Sequence, residues 1–179
     1  MEFDYLILAC PLGADTLGRF LALSPEEADL FGRIVVNPYV VTTYAILGLQ
    51  LPERIVGMLP IPEMGRPWAI TQQFADNQFV QFHSRVDSAH RISKARVFDA
   101  IREDVEKLGA ALSANYLTYD EWCYFPHVAT EEFRNGYYDR FEALQGRDNT
   151  FYCGGIAAFE LVEPIVEYSR RLVETHFSP

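Results

Sequence analysis

Residues 39–86 constrain the fold of this chain more than any other stretch. With Pro38 just ahead of it, the block holds four runs, PYVVTTYAILGL, IVGMLPI, WAITQQFA and QFVQFHSRV, separated by Pro, Gly and Asp-Asn. β-Branched and aromatic runs between turn formers make strands joined by short connections, and three or four antiparallel strands are expected here. In the last run Phe79 and Phe82 do not alternate cleanly, which leaves open the face that holds His83.

Helices and further strands flank this block. Residues 92–112 read as the clearest helix, because Phe98, Ile101, Val105, Leu108 and Leu112 fall on one apolar stripe. Arg102, Glu103, Asp104, Glu106 and Lys107 fill the solvated face. Ahead of the sheet, the apolar run 3–10 (FDYLILAC) suits a strand buried on both faces. A short helix is expected over 15–23. The next opens with Ser24 as N-cap, Pro25 at the first helical position and Glu26-Glu27 in the first turn, and Gly32 would end it. Behind the sheet come a strand over 116–128, a helix from Thr130 as N-cap to about Leu144, a strand over 150–153 and a closing helix over about 160–177. In the closing helix Val162, Ile165, Val166, Leu172 (or Val173) and Phe177 make the expected buried face, and Pro164 is tolerated in the first turn. The class is α+β (mixed α/β), as a single domain over 1–179.

Charge removes several function classes. The net charge is −10, so no basic stripe is available to displace counterions from nucleic acid or to hold an anionic membrane surface. Cys10, Cys123 and Cys153 lie far apart, with neither disulfide nor zinc spacing, so no metal is expected. The acidic start and short apolar run of MEFDYLILAC fit neither a signal peptide nor a span, and a reduced, cytoplasmic protein is the expectation. GxGxxG, GxxxxGKS/T, HExxH and GxSxG are all absent.

Candidate site residues concentrate in 119–155, where aromatics stand beside titratable groups as they do in small-molecule pockets. His127 can act as acid or base near neutral pH. Tyr124, Asp120 and Glu160 are candidates to assist it. Tyr119, Trp122, Tyr152 and Phe82 would line the cavity, with His83 and Arg85 placing a base and a cation on one face. For each aromatic, ordinary core packing is the competing account. Gly154-Gly155, between a strand and a helix, would let backbone approach a ligand, although Glu160 and Glu163 close by disfavour a phosphate.

The motifs YFPHV (124–128), YYDRFEALQG (137–146), TFYCGG (150–155) and FELVEPIVEYSRRLVE (159–174) resemble the C-terminal part of FAD-dependent amine-oxidase-type oxidoreductases. FDYLILACPL resembles the strand by which those proteins re-enter the substrate domain. The resemblance implies an antiparallel substrate-binding sheet with packed helices, plus the remnant strand and helix of a flavin-binding domain whose GxGxxG half is missing. Gly155 also stands where such proteins commonly carry an acidic residue. FAD is therefore expected only if a partner chain supplies the absent half. Strands left uncovered by that half are expected to be buried in a homodimer.

Two function classes follow. One is a flavin-free enzyme of isomerase, dehydratase or cyclase type, acting by acid–base chemistry on a lipophilic secondary metabolite. The other is a piece of an FAD-dependent oxidoreductase, with a non-catalytic small-molecule binder behind both.

Overall fold

The computed structural model describes residues 3–47, 49, 51, 53–72, 79–86, 92–113 and 115–177. The elements in order are β1 (Leu6–Leu8), α1 (Ala14–Leu17), α2 (Pro25–Gly32), β2 (Val35–Leu47), β3 (Ile55–Gly57), β4 (Pro67–Gln72), β5 (Phe79–Arg85) and α3 (Lys94–Lys107). Then follow β6 (Ala111–Leu112), β7 (Thr118–His127), α4 (Thr130–Arg134), α5 (Tyr137–Glu142), β8 (Thr150–Tyr152), α6 (Gly155–Ala158) and α7 (Val162–His176). The α+β class expected from the sequence is what forms. The end of the WAITQQFA run and its Asp-Asn turn lie outside the described residues. The sequence expectation is one domain over 1–179; the chain packs as two compact units, a sheet unit (Asn37–Tyr124) and a helical unit (Met1–Val36 and Phe125–Pro179).

In the sheet unit the strand order is β3-β4-β5-β2-β6, with β7 also pairing β2. Tyr39 lies opposite Arg85, Val41 opposite His83 and Thr43 opposite Gln81. Because side chains alternate along a strand, this register divides the sheet into two faces. Val40, Tyr44 and Ile46 of β2, Ile70 of β4 and Val80 and Phe82 of β5 are buried against Val97, Ile101 and Val105 of α3. The opposite face stays half open. Along β5 the rhythm is unbroken: Val80, Phe82 and Ser84 are buried while Gln81 and His83 are partly exposed. His83 therefore belongs to the open face and Phe82 to the core.

Ile101 and Val105 are buried on α3 as expected and Phe98 packs partly buried against them, while Val97 and Ala100, not in the expected stripe, complete the buried face. Ser93 caps the helix by accepting from the Arg96 N–H. The helix stops at Lys107, so Leu108 is half exposed and Leu112 falls in β6 instead of on the helical stripe.

The helical unit is built on β1 and β8, paired in parallel with Leu6 opposite Thr150 and Leu8 opposite Tyr152. A two-stranded sheet covers little, and Leu6 and Ile7 stay partly exposed while Leu8 is buried, so the run 3–10 is not enclosed on both faces. α2 starts as expected: Ser24 and Glu27 form a reciprocal capping box with Pro25 in the first turn. The expected helix 130–144 is broken into α4 and α5 at Gly136, whose φ is +75°. Thr130 is its first helical residue and Ala129 its cap. α7 buries Tyr168 and Leu172, whereas Val162 and Val166, expected inside, face outward at 82% and 61% exposure.

Candidate functional site

The open face of the sheet unit carries a hydrogen-bonded chain of three side chains from three strands. The Tyr39 hydroxyl lies 2.6 Å from Nδ1 of His83, and Nε2 of the same ring lies 2.8 Å from Oγ1 of Thr71. The Thr71 hydroxyl also donates, at 3.4 Å, to Oε1 of Gln81. With that proton directed to Gln81, Nε2 of His83 is the donor to Thr71 and Nδ1 accepts from Tyr39. Burial lowers the pKa of His83 from its ordinary value, which keeps the ring neutral near pH 7. Burial, with the neighbouring Tyr124, pushes Tyr39 up to about 12, so its hydroxyl stays protonated.

Aromatic rings surround this chain. Tyr124 of β7 stands 5.5 Å and Trp68 of β4 6.4 Å from Tyr39, centroid to centroid. Alternation along β7 puts Asp120 and Trp122 on the same side as Tyr124. Arg85 pairs with Tyr39 across the strands and shares its face. The sheet thus brings together Tyr124, Asp120, Trp122, His83 and Arg85 among the residues singled out from the sequence.

Tyr119 and Phe82 lie on the other face. Phe82 is fully buried in the core, so packing is its role here and it lines no cavity. Tyr119 meets Phe98 of α3 edge-on at 5.5 Å. Its hydroxyl is pushed up to about 12 by burial and by Glu121. Lys94 stands 4.4 Å above both the Tyr116 and Tyr119 rings and donates to the Tyr116 hydroxyl, fastening the start of β7 to α3.

His127, Glu160, Tyr152, Gly154 and Gly155 all belong to the helical unit. There His127 and Glu160 meet on one backbone residue. The Phe125 N–H donates to the Glu160 carboxylate, and the Phe125 carbonyl accepts from Nδ1 of His127 at 2.8 Å. That bond fixes the histidine tautomer with its lone pair on Nε2. Phe125 holds a left-handed φ of +57°, and Phe159, at φ +67°, packs edge-on against it at 4.9 Å. Gly154 takes φ +124°, while a Cβ on Gly155 would come within 3.2 Å of Pro126 and 3.3 Å of Glu160. Close packing within the chain thus accounts for Gly155 without a ligand. Tyr152 is buried in the core and donates its hydroxyl to Glu27. Burial works against charge on Glu27, but the hydrogen bonds from Tyr152 and Ser24 prevail and hold its carboxyl below the usual range.

Among the described residues no cluster of three or more His, Cys, Asp or Glu could hold a metal ion, and no helix is long and apolar enough to cross a membrane.

Tyr39, Thr71 and Trp68 were not legible as site residues from the sequence. Their partners are distant in sequence and only strand pairing brings them together, and the local signal is the alternation of buried and open positions along β2 and β5.

No protein-family model matches the chain. It is 29% identical over 171 residues to an FAD-dependent oxidoreductase (oblC) of Cochliobolus heterostrophus, a match that takes in 83% of this chain and 34% of that protein. Its fold is similar to that of a CLA-producing fatty acid isomerase from P. acnes, with a TM-score of 0.86 and 23% identity over 98% of this chain and 42% of the other. The chain thus spans well under half the length of either protein, and what it is shown to share with the isomerase is the fold.

Proposed function

We propose that the sheet unit binds a lipophilic small molecule on its open face and moves a proton on it through Tyr39, in an isomerisation, dehydration or cyclisation that uses no redox cofactor. The observation that carries this reading is the Tyr39–His83–Thr71 chain. A tyrosine hydroxyl backed by a neutral imidazole can exchange protons in both directions. Oη of Tyr39 takes a proton from a carbon next to a carbonyl while its own proton passes to Nδ1 of His83. The reverse transfer returns a proton to a different carbon, so the double bond moves and the relay is restored. The half-open aromatic bed of Trp68 and Tyr124 orients an apolar ligand over that hydroxyl. The likeness of fold to a fatty acid isomerase supports the isomerase type and the lipophilic substrate.

A lipophilic β,γ-unsaturated ketone tests the reading, since its conjugated product is followed by ultraviolet absorbance. Turnover by wild type that falls about a hundredfold or more in both Tyr39→Phe and His83→Gln supports the relay. Turnover unchanged in both variants overturns it. Binding without turnover reduces the protein to a small-molecule binder.

The match to 34% of an FAD-dependent oxidoreductase favours one further reading, in which this chain is the substrate-covering part of an amine-oxidase-type flavoenzyme. The rest of the FAD site would then lie on other polypeptide. A flavin absorbance band in protein purified without added cofactor decides for this alternative.

A further inference from the structure

We propose that the molecule bound on the open face is an amphiphilic carboxylic acid whose carboxylate is held by Arg85. This rests on the proposed binding face and names the class of ligand it takes. Arg85 lies directly opposite Tyr39 in the β2–β5 register, so the two side chains leave the same face with their Cβ atoms roughly 5 Å apart. Arg33, Arg66, Arg96, Arg140, Arg147 and Arg170 all hold carboxylates of this chain. Arg85 holds none among the described residues, although Asp and Glu outnumber Lys and Arg by 25 to 15. It is the one Lys or Arg among the register positions of the open face on β2, β4 and β5. A guanidinium presents a planar fork that matches a carboxylate on two parallel bonds. Beside it, Tyr39, Trp68 and Tyr124 offer ring surface for a hydrocarbon tail. A neutral lipid would use the rings and leave the guanidinium idle. An amphiphilic acid uses both.

The two tryptophans of the chain, Trp68 and Trp122, report directly on this face. The test titrates their fluorescence in the whole chain with sodium laurate and, separately, methyl laurate, both below micelle-forming concentrations. Laurate is expected to bind about five- to tenfold tighter than the ester, the range for a partly exposed charge-assisted pair. Added salt should narrow that gap. R85Q should bring the two ligands to the same Kd, and R85K should restore part of the preference. Equal binding of acid and ester by wild type, or an undiminished preference in R85Q, overturns the assignment of Arg85 while leaving the binding face standing. If neither ligand changes the fluorescence, the binding face itself falls and the carboxylate anchor with it.

Discussion

Tyr39 and His83 stand diagonally across β2 and β5, with the tyrosine hydroxyl 2.6 Å from the imidazole Nδ1. The contact depends on register: Val41, not Tyr39, is directly opposite His83. A slip of one residue in β5 would turn His83 under α3 and bring Phe82 into the open. The burial of Phe82 therefore guards the position of the relay. Phe82→Ala should cost about 3–5 kcal/mol of stability. Trp122→Ala, at an exposed position on β7, should cost under about 0.5 kcal/mol and act on ligand binding instead. Urea unfolding of both variants checks the contrast.

Tyr39→Phe keeps the ring contacts and removes only the hydroxyl. Nδ1 of His83 then loses its partner at a half-buried site, and a stability loss of about 1 kcal/mol is expected. A much larger effect is expected on proton transfer than on ligand affinity. Steady-state kinetics should therefore show kcat falling while KM changes little.

Acid should weaken the protein through His83. Its pKa in the folded state is depressed by burial, so the unfolded chain binds a proton more readily. The stability contributed by keeping the ring neutral is complete above the ordinary histidine value of about 6.5, and declines as pH falls through and below it. His83→Gln should flatten this part of the stability–pH profile in thermal melts. Activity that needs neutral His83 should fall on the same acid side, through a pKa below 6.5.

Gly65 and Gly109 both have positive φ, +86° and +74°, yet alanine should affect them unequally. A Cβ at Gly65 would come within 2.8 Å of Cγ2 of Ile92, whereas at Gly109 it would meet nothing within 4 Å. Gly109→Ala should cost about 1 kcal/mol from backbone strain alone, and Gly65→Ala more than that. Denaturant midpoints measured side by side test the order.

Val162 and Val166 stand one turn apart on α7 and face solvent, and Leu6 and Ile7 of β1 are also partly exposed. Homodimerisation is the proposed means of covering such surface. Sedimentation equilibrium should show the wild-type chain associating, and Val162→Glu with Val166→Glu shifting it towards monomer. A monodisperse wild-type monomer counts against the dimer.

The elements legible in the sequence are those fixed by short-range chemistry. The α2 start at Ser24-Pro25 and the β-rich block of the sheet unit are cases, because capping and strand propensity act between near neighbours. Gly136 sits inside an otherwise helical pattern and breaks it with a left-handed φ. Val162 and Val166 of α7 lie outward against expectation because periodicity marks apolar positions without telling which of them find a partner. The relay was invisible for a related reason. Tyr39 and His83 are 44 residues apart in sequence, and only the strand register joins them.

The alternation along β5 carries a consequence for how such a protein can diverge. Val80, Phe82 and Ser84 face the interior, while Gln81, His83 and Arg85 point away from it. On the proposed reading, neighbouring codons answer to different selective pressures, one set to folding and the other to ligand recognition. Substitutions that retune what the sheet recognises can accumulate at every second position and leave the foldability of the chain nearly untouched. A saturation library of β5 scored separately for abundance and for ligand binding should show two interleaved sets of sensitive sites.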